Sequence, residues 1–147
     1  MIPVLQEDRT GCGIAAVATI AGVSYQEAKR VAASLGIVAH DPALWSETAP
    51  VRALLARFGA TAPVGVVPFS SWEALPDLAL LSIKWRWRGD RPVWHWVVFV
   101  RIGGQAMVLD SKKGLRRNIR TDFGRMAPKW SLPVRVVPPG SGALPSS

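Results

Sequence analysis

The sequence predicts an α+β fold, with a helical first half packed on a twisted antiparallel sheet. Three observations support it. Apolar residues recur at helical spacing only as far as Gly59. Strand-like runs rich in Val, Leu, Trp and Phe follow. The two kinds of segment are not interleaved, which argues against alternating βαβ units.

Met1 to Gly11 reads as an extended lead-in. The run CGIAAVATIA, from Cys12 to Ala21, is apolar nearly all round and is followed by Gly22. That composition suggests a short helix buried on every side and stopped by the glycine. Ser24 and Glu27 form an S-x-x-E capping box for a second helix, with Ala28, Val31, Ala32 and Leu35 as its stripe before Gly36. A third helix is expected from about Pro50 to Phe58, with Thr48 as its cap, Val51, Leu54, Leu55 and Phe58 as its stripe and Gly59 as its stop.

Thr61 to Pro68 reads as a strand broken by Pro and Gly, and Ser70 with Glu73 as a second capping box over a helical turn ending near Pro76. Strands are then expected over Leu78 to Trp87 and Trp94 to Ile102, separated by a turn at Arg88 to Pro92. Gly103-Gly104 marks a two-residue hairpin returning through Gln105 to Ser111. Lys112 to Arg120 is a basic stretch, and Leu132 to Val137 a last strand. The organisation read here is one domain over residues 1–137 with a flexible tail, PPGSGALPSS, over 138–147.

Composition narrows the function classes. Of 147 residues, 49% are apolar and 19% charged, which is globular rather than disordered. No apolar run reaches the ~18 residues of a membrane span. Met1 to Arg9 lacks the basic start and apolar run of a signal peptide. The expectation is a cytoplasmic protein, or an effector secreted without such a signal. A single cysteine precludes a disulfide within the chain and any cysteine-based zinc cluster. The net charge of +8 favours acidic partners. Nucleic acid would use the same charge, but no recognised nucleic-acid motif accompanies it.

A lone cysteine is either a small buried hydrophobe or a nucleophile. Cys12 follows the Thr10-Gly11 turn and so falls in the first turn of its helix. Unpaired N–H groups and the positive end of the helix dipole favour a thiolate there. Of two histidines, His40 lies in a loop-like stretch and His95 opens the apolar strand WHWVVFVRI. If Gly103-Gly104 is the turn, Ile102 faces Gln105, Val100 faces Met107 and Val97 faces Asp110. Asp110 is then a diagonal neighbour of His95 on one face, ~7–8 Å away between backbones. That placement lets Asp110 accept the imidazole Nδ1–H and leaves Nε2 for the thiol. Gln6, six residues before the cysteine, could fold back to add a side-chain amide to the Cys12 N–H as an oxyanion donor.

Taken together, these residues resemble a known family. The Gln6 to Cys12 spacing, the Cys-Gly start of an Ala-rich helix, the Ser24-Tyr25 start of the next, the HWVVF strand and the VLDS strand are similar to papain-like cysteine peptidases. The closest resemblance is to the bacteriocin-processing, double-glycine leader peptidases and their free-standing relatives. It spans roughly Val4 to Asp122 and differs at Gly11, where that family usually has an acidic residue. It implies a papain-like fold and peptide-bond cleavage through an acyl-enzyme, with catalytic Cys12, His95, Asp110 and Gln6. No metal or organic cofactor is needed for that reaction. A deamidase, transglutaminase-like enzyme or acyltransferase would use the same triad, and a non-catalytic basic binding domain is the third reading.

Trp85, Trp87, Trp94 and Trp96 alternate, so half should be core. Trp94 and Trp96, beside the histidine, and Gly11, beside the cysteine, are the candidate substrate-binding residues. Arg86, Arg88 and Arg91 and the run Lys112, Lys113, Arg116, Arg117 and Arg120 form either a solvated face or a docking surface for an acidic protein or peptide substrate.

Overall fold

The computed structural model describes residues 1–137; the tail expected over 138–147 lies outside them. Helices α1 (Cys12–Ala21), α2 (Tyr25–Ser34) and α3 (Ala49–Arg57) come first. They are followed by strands β1 (Ala60–Thr61), β2 (Val67–Pro68), β3 (Leu78–Arg88), β4 (Arg91–Ile102), β5 (Gln105–Leu109), β6 (Ile119–Arg120), β7 (Trp130–Pro133) and β8 (Arg135–Val136). Six strands form one antiparallel sheet in the order β2-β7-β3-β4-β5-β6, and β1 pairs with β8 in a small separate ribbon. This is the α+β arrangement the sequence predicts.

Helix α1 is apolar all round because it is enclosed: α2 and α3 pack on it from one side and β4 from the other, and Cys12 to Thr19 are all buried. Ser24 caps α2 by accepting from the Glu27 N–H at 3.1 Å. The reciprocal half of the capping box does not form, since the Glu27 carboxylate pairs with Arg30 instead.

The central strands are buried on both faces. Leu80, Trp96, Val98 and Leu132 pack against the helices; Leu81, Ile83, Val97 and Phe99 pack against Leu75, Trp72 and Met126 on the far side. That double burial makes β4 a continuous apolar run rather than an alternating one. Trp94, Trp96 and Trp130 form an edge-to-face cluster with centroids 4.8–5.6 Å apart.

Several local expectations are corrected. The strand expected over Thr61 to Pro68 is two separate two-residue strands, because β1 and β2 answer to different partners, β8 and β7. The helical turn expected over Ser70 to Pro76 is an irregular turn, and Ser71 rather than Ser70 accepts the Ala74 N–H. The turn before β4 is tighter than expected: β3 and β4 pair as far as Arg88 and Arg91. The expected last strand is split between β7 and β8, and β6 arises within the basic stretch.

One glycine sets the distance between the two halves. A Cβ on Gly13 would lie 2.9 Å from Val51 Cγ1 and 3.1 Å from Trp96 Cδ1. Only a residue without a side chain lets the start of α1 settle this closely on β4 and α3. Gly13→Val is expected to lower unfolding free energy by about 1–3 kcal/mol through overpacking, measured by urea denaturation of variant and parent.

Candidate active site

The site is assembled where α1 begins and the β4–β5 hairpin ends. Cys12 is the first residue of α1, and Gly11 before it offers no side-chain cap. The N–H groups of that turn therefore remain available and the dipole field is undiluted. The N-terminal segment is tied to both neighbours: the Val4 N–H donates to Thr19 Oγ1 on α1 at 3.0 Å, and the Gln6 N–H to the Ser111 carbonyl, just beyond β5, at 2.9 Å.

The hairpin has the register read from its Gly-Gly turn. Ile102 pairs with Gln105, Val100 with Met107 and Val98 with Leu109. His95 and Asp110 consequently meet, with 2.7 Å between Nε2 and Oδ1. The ring is turned opposite to the orientation expected: Nε2, not Nδ1, donates to the carboxylate, which leaves Nδ1 for the thiol. Strand register fixes which side chains meet but not the rotation of a ring about its own bonds.

Asp110 is 1% exposed, so its charge depends on its partners. Oδ1 also accepts the Lys112 N–H at 3.0 Å, and Oδ2 accepts from Arg120 Nη1 at 3.0 Å. The Asn118 side chain donates to the Asp110 and Lys112 carbonyls and holds the loop between them. Burial opposes ionisation of Asp110, but His95, the Lys112 N–H and Arg120 prevail and lower its pKa to about 2. Burial likewise opposes the charged form of His95. The Asp110 carboxylate bonded to the ring and the Cys12 sulfur near it outweigh that cost and raise the pKa from 6.5 to about 9.

The remaining residues singled out in the sequence fall less simply. Gln6 lies in the cleft beside His95, but its amide is engaged. Nε2 donates to the Asp8 and Arg9 carbonyls at 3.1 Å each, and Oε1 accepts from Ser111 Oγ. Trp94 lines the cleft. Trp96 does not: it is fully buried among the core tryptophans and is not placed to touch a substrate. Gly11 is also buried, with the Tyr25 hydroxyl 2.0 Å from where its Cβ would stand. That hydroxyl donates to Asp8 Oδ2 at 2.6 Å, so a hydroxyl–carboxylate pair fills the space beside Gly11.

Arg120 and Asn118 are site residues that sequence reasoning assigned only to a basic stretch. Nothing in their local pattern marks them; the pairing of β6 with β5, which sets Arg120 opposite Val108, brings them to Asp110. The cleft encloses about 470 Å³, with His95, Gln6, Trp45 and Trp94 in its walls. Among the described residues no group of three or more His, Cys, Asp or Glu is placed to hold a metal ion. Nor is any helix there long and apolar enough to cross a membrane.

No protein-family model matches the chain, and no curated protein matches it. Among solved structures it is similar to a double-glycine motif protease from an AMS/PCAT transporter, determined in complex with the leader peptide. That likeness has a TM-score of 0.57 and covers 93% of each chain at 18% identity. The chain thus has the α+β, papain-like fold of that protease.

Asp110 contributes stability above its ordinary pKa of 3.8, and that contribution is lost as pH falls toward about 2. Removing Arg120 weakens the hold on the charge, so the loss begins sooner. Arg120→Met is expected to shift the acid-unfolding midpoint to higher pH, followed by circular dichroism.

Proposed function

We propose that the chain is a cysteine peptidase in which Cys12 is the nucleophile, His95 the general base and acid, and Asp110 the residue that orients the imidazole. The observation supporting this most strongly is His95 itself, bonded through Nε2 to a buried carboxylate and with the Cys12 sulfur among the groups that raise its pKa. A histidine that merely filled a core would need neither neighbour.

In this reading His95 Nδ1 takes the thiol proton and the sulfur attacks the carbonyl carbon of a peptide. The resulting imidazolium is stabilised by Asp110, which stays ionised throughout. The oxyanion forms near the start of α1, where the Cys12 N–H can donate to it. Gln6 adds a second donor only by releasing the Asp8 or Arg9 carbonyl, a local change that substrate binding would have to drive. His95 then protonates the leaving amine. The acyl-enzyme, a thioester on Cys12, is hydrolysed by water that gives its proton back to Nδ1. A peptide substrate accords with the leader peptide bound to the structural neighbour.

Cys12→Ala is expected to reduce turnover of a fluorogenic peptide by about 10⁴-fold or more and to abolish iodoacetamide labelling. Mass spectrometry would show cut chains with the parent enzyme; an intact, mass-shifted peptide would instead indicate a deamidase or transferase. Undiminished turnover by Cys12→Ala would refute the assignment. The protonated imidazole is needed to release the amine, so kcat/KM should fall as pH rises through about 9. Asp110→Asn removes an interaction that favours the imidazolium and is expected to move that alkaline limb to lower pH.

A further inference from the structure

Strand β3 carries one extra residue where it passes the site. Ile83 pairs with His95 but Arg86 with Val93, so Lys84 and Trp85 together stand opposite Trp94. Lys84 has φ +53°, a left-handed backbone that a residue with a Cβ adopts at a cost. Bulges beside active sites re-aim side chains, and this one turns Lys84 toward the cleft that holds His95.

Lys84 is not alone there. Arg86 and Arg88 from β3, Lys112 and Lys113 from the loop after β5, and Arg9 line the same cleft. Two acidic residues, Glu7 and Asp8, also line it, but both are engaged: Asp8 with Tyr25 and Lys29, and Glu7 with Gln26. Neither Lys84 nor Lys112 has an ion-pair partner among the described residues. The nearest carboxylate, Asp110, is already held by His95, the Lys112 N–H and Arg120. Partial desolvation and the adjacent Lys112 ammonium both lower the pKa of Lys84, against the opposite pull of Asp110.

From this geometry we propose that Lys84 and Lys112 form a carboxylate-binding subsite beside His95, and that the peptides cut here carry an Asp or Glu side chain close to the scissile bond. The proposal rests on the peptidase reading above and names its substrate class. A nucleic acid fits less well. Single-strand binding needs free aromatic faces, whereas Trp45 on the cleft wall lies under Arg9 and Arg88 at 5.9 and 5.5 Å, and Trp94 is buried.

Two readouts on the full chain test this. The first compares alkylation of Cys12 by iodoacetate, an anion, with iodoacetamide, its neutral analogue. The iodoacetate-to-iodoacetamide rate ratio is expected to fall by about threefold to tenfold in Lys84→Gln/Lys112→Gln and to be retained in Lys84→Arg/Lys112→Arg. An unfolded fraction would react at the free-thiol ratio, so both variants are first matched to the parent by circular dichroism, and retention of the ratio in the arginine variant separates lost charge from lost folding. The second maps cut sites in a proteome-derived peptide library, where Asp and Glu should be enriched near the cut by the parent and less so by the glutamine variant. A reactive thiol whose ratio ignores the substitutions, or cut sites without acidic enrichment, overturns the subsite while leaving the peptidase intact. A thiol that neither reagent labels overturns the peptidase reading and the subsite with it. Protection of Cys12 from iodoacetate by oligothymidylate but not by polyglutamate assigns the lysines to nucleic acid and also overturns the proposal.

Discussion

A single buried carboxylate governs the arrangement of the site. Removing a charge from water costs several kcal/mol even after relaxation, and Asp110 is almost wholly enclosed. It stays ionised because three donors from different parts of the chain converge on it: the His95 ring on β4, the Lys112 backbone and the Arg120 guanidinium on β6. Each donor is thereby fixed in turn. Arg120 is held from behind by Asp122, and Asn118 closes the loop between β5 and β6. The same charge that orders these elements raises the proton affinity of His95, so the structural and the chemical roles of Asp110 are one electrostatic effect.

In the proposed mechanism that effect must reach the thiol, which requires the helical half to sit hard against the sheet. Gly13 allows the contact, and the Trp94–Trp96–Trp130 cluster gives α1 a rigid floor. The N-terminal segment closes the third side through Val4 and Gln6. Loosening any of these would shift the start of α1 relative to β4 without touching Cys12 or His95, which makes the site sensitive to packing several residues away. The basic cleft adds a second field. Lys84 and Lys112 line the space next to the histidine and have no ion-pair partner among the described residues.

Much of this was legible in the residues, for reasons that are local. Cys12 after a Gly turn and before an apolar run marks a helix start, and Gly103-Gly104 between two apolar strands sets a register that carries His95 to Asp110. What escaped was non-local or rotational. The orientation of the His95 ring depends on side-chain torsions that no spacing encodes. Arg120 read only as part of a basic stretch and Lys84 was not singled out; strand pairing brings the first to Asp110 and a one-residue bulge turns the second to the cleft. Two of the four alternating tryptophans are core, as expected, but they are Trp94 and Trp96, the pair offered for substrate binding, and Trp87 is the exposed one. Gly11 read as a cleft residue because its neighbour is the cysteine, whereas the Tyr25 hydroxyl occupies the space beside it. The two-residue strands β1 and β2 have no sequence signature, since partners some seventy residues away define them.

With two histidines in the chain, the proton equilibrium of His95 can be followed directly by two-dimensional ¹H–¹⁵N NMR of the imidazole nitrogens. His95 is expected to titrate near pH 9, with Nε2 protonated throughout, and to titrate lower in Cys12→Ser. A ring that titrates near 6.5 in the parent and is indifferent to the loss of the thiol would contradict the coupling on which the account rests.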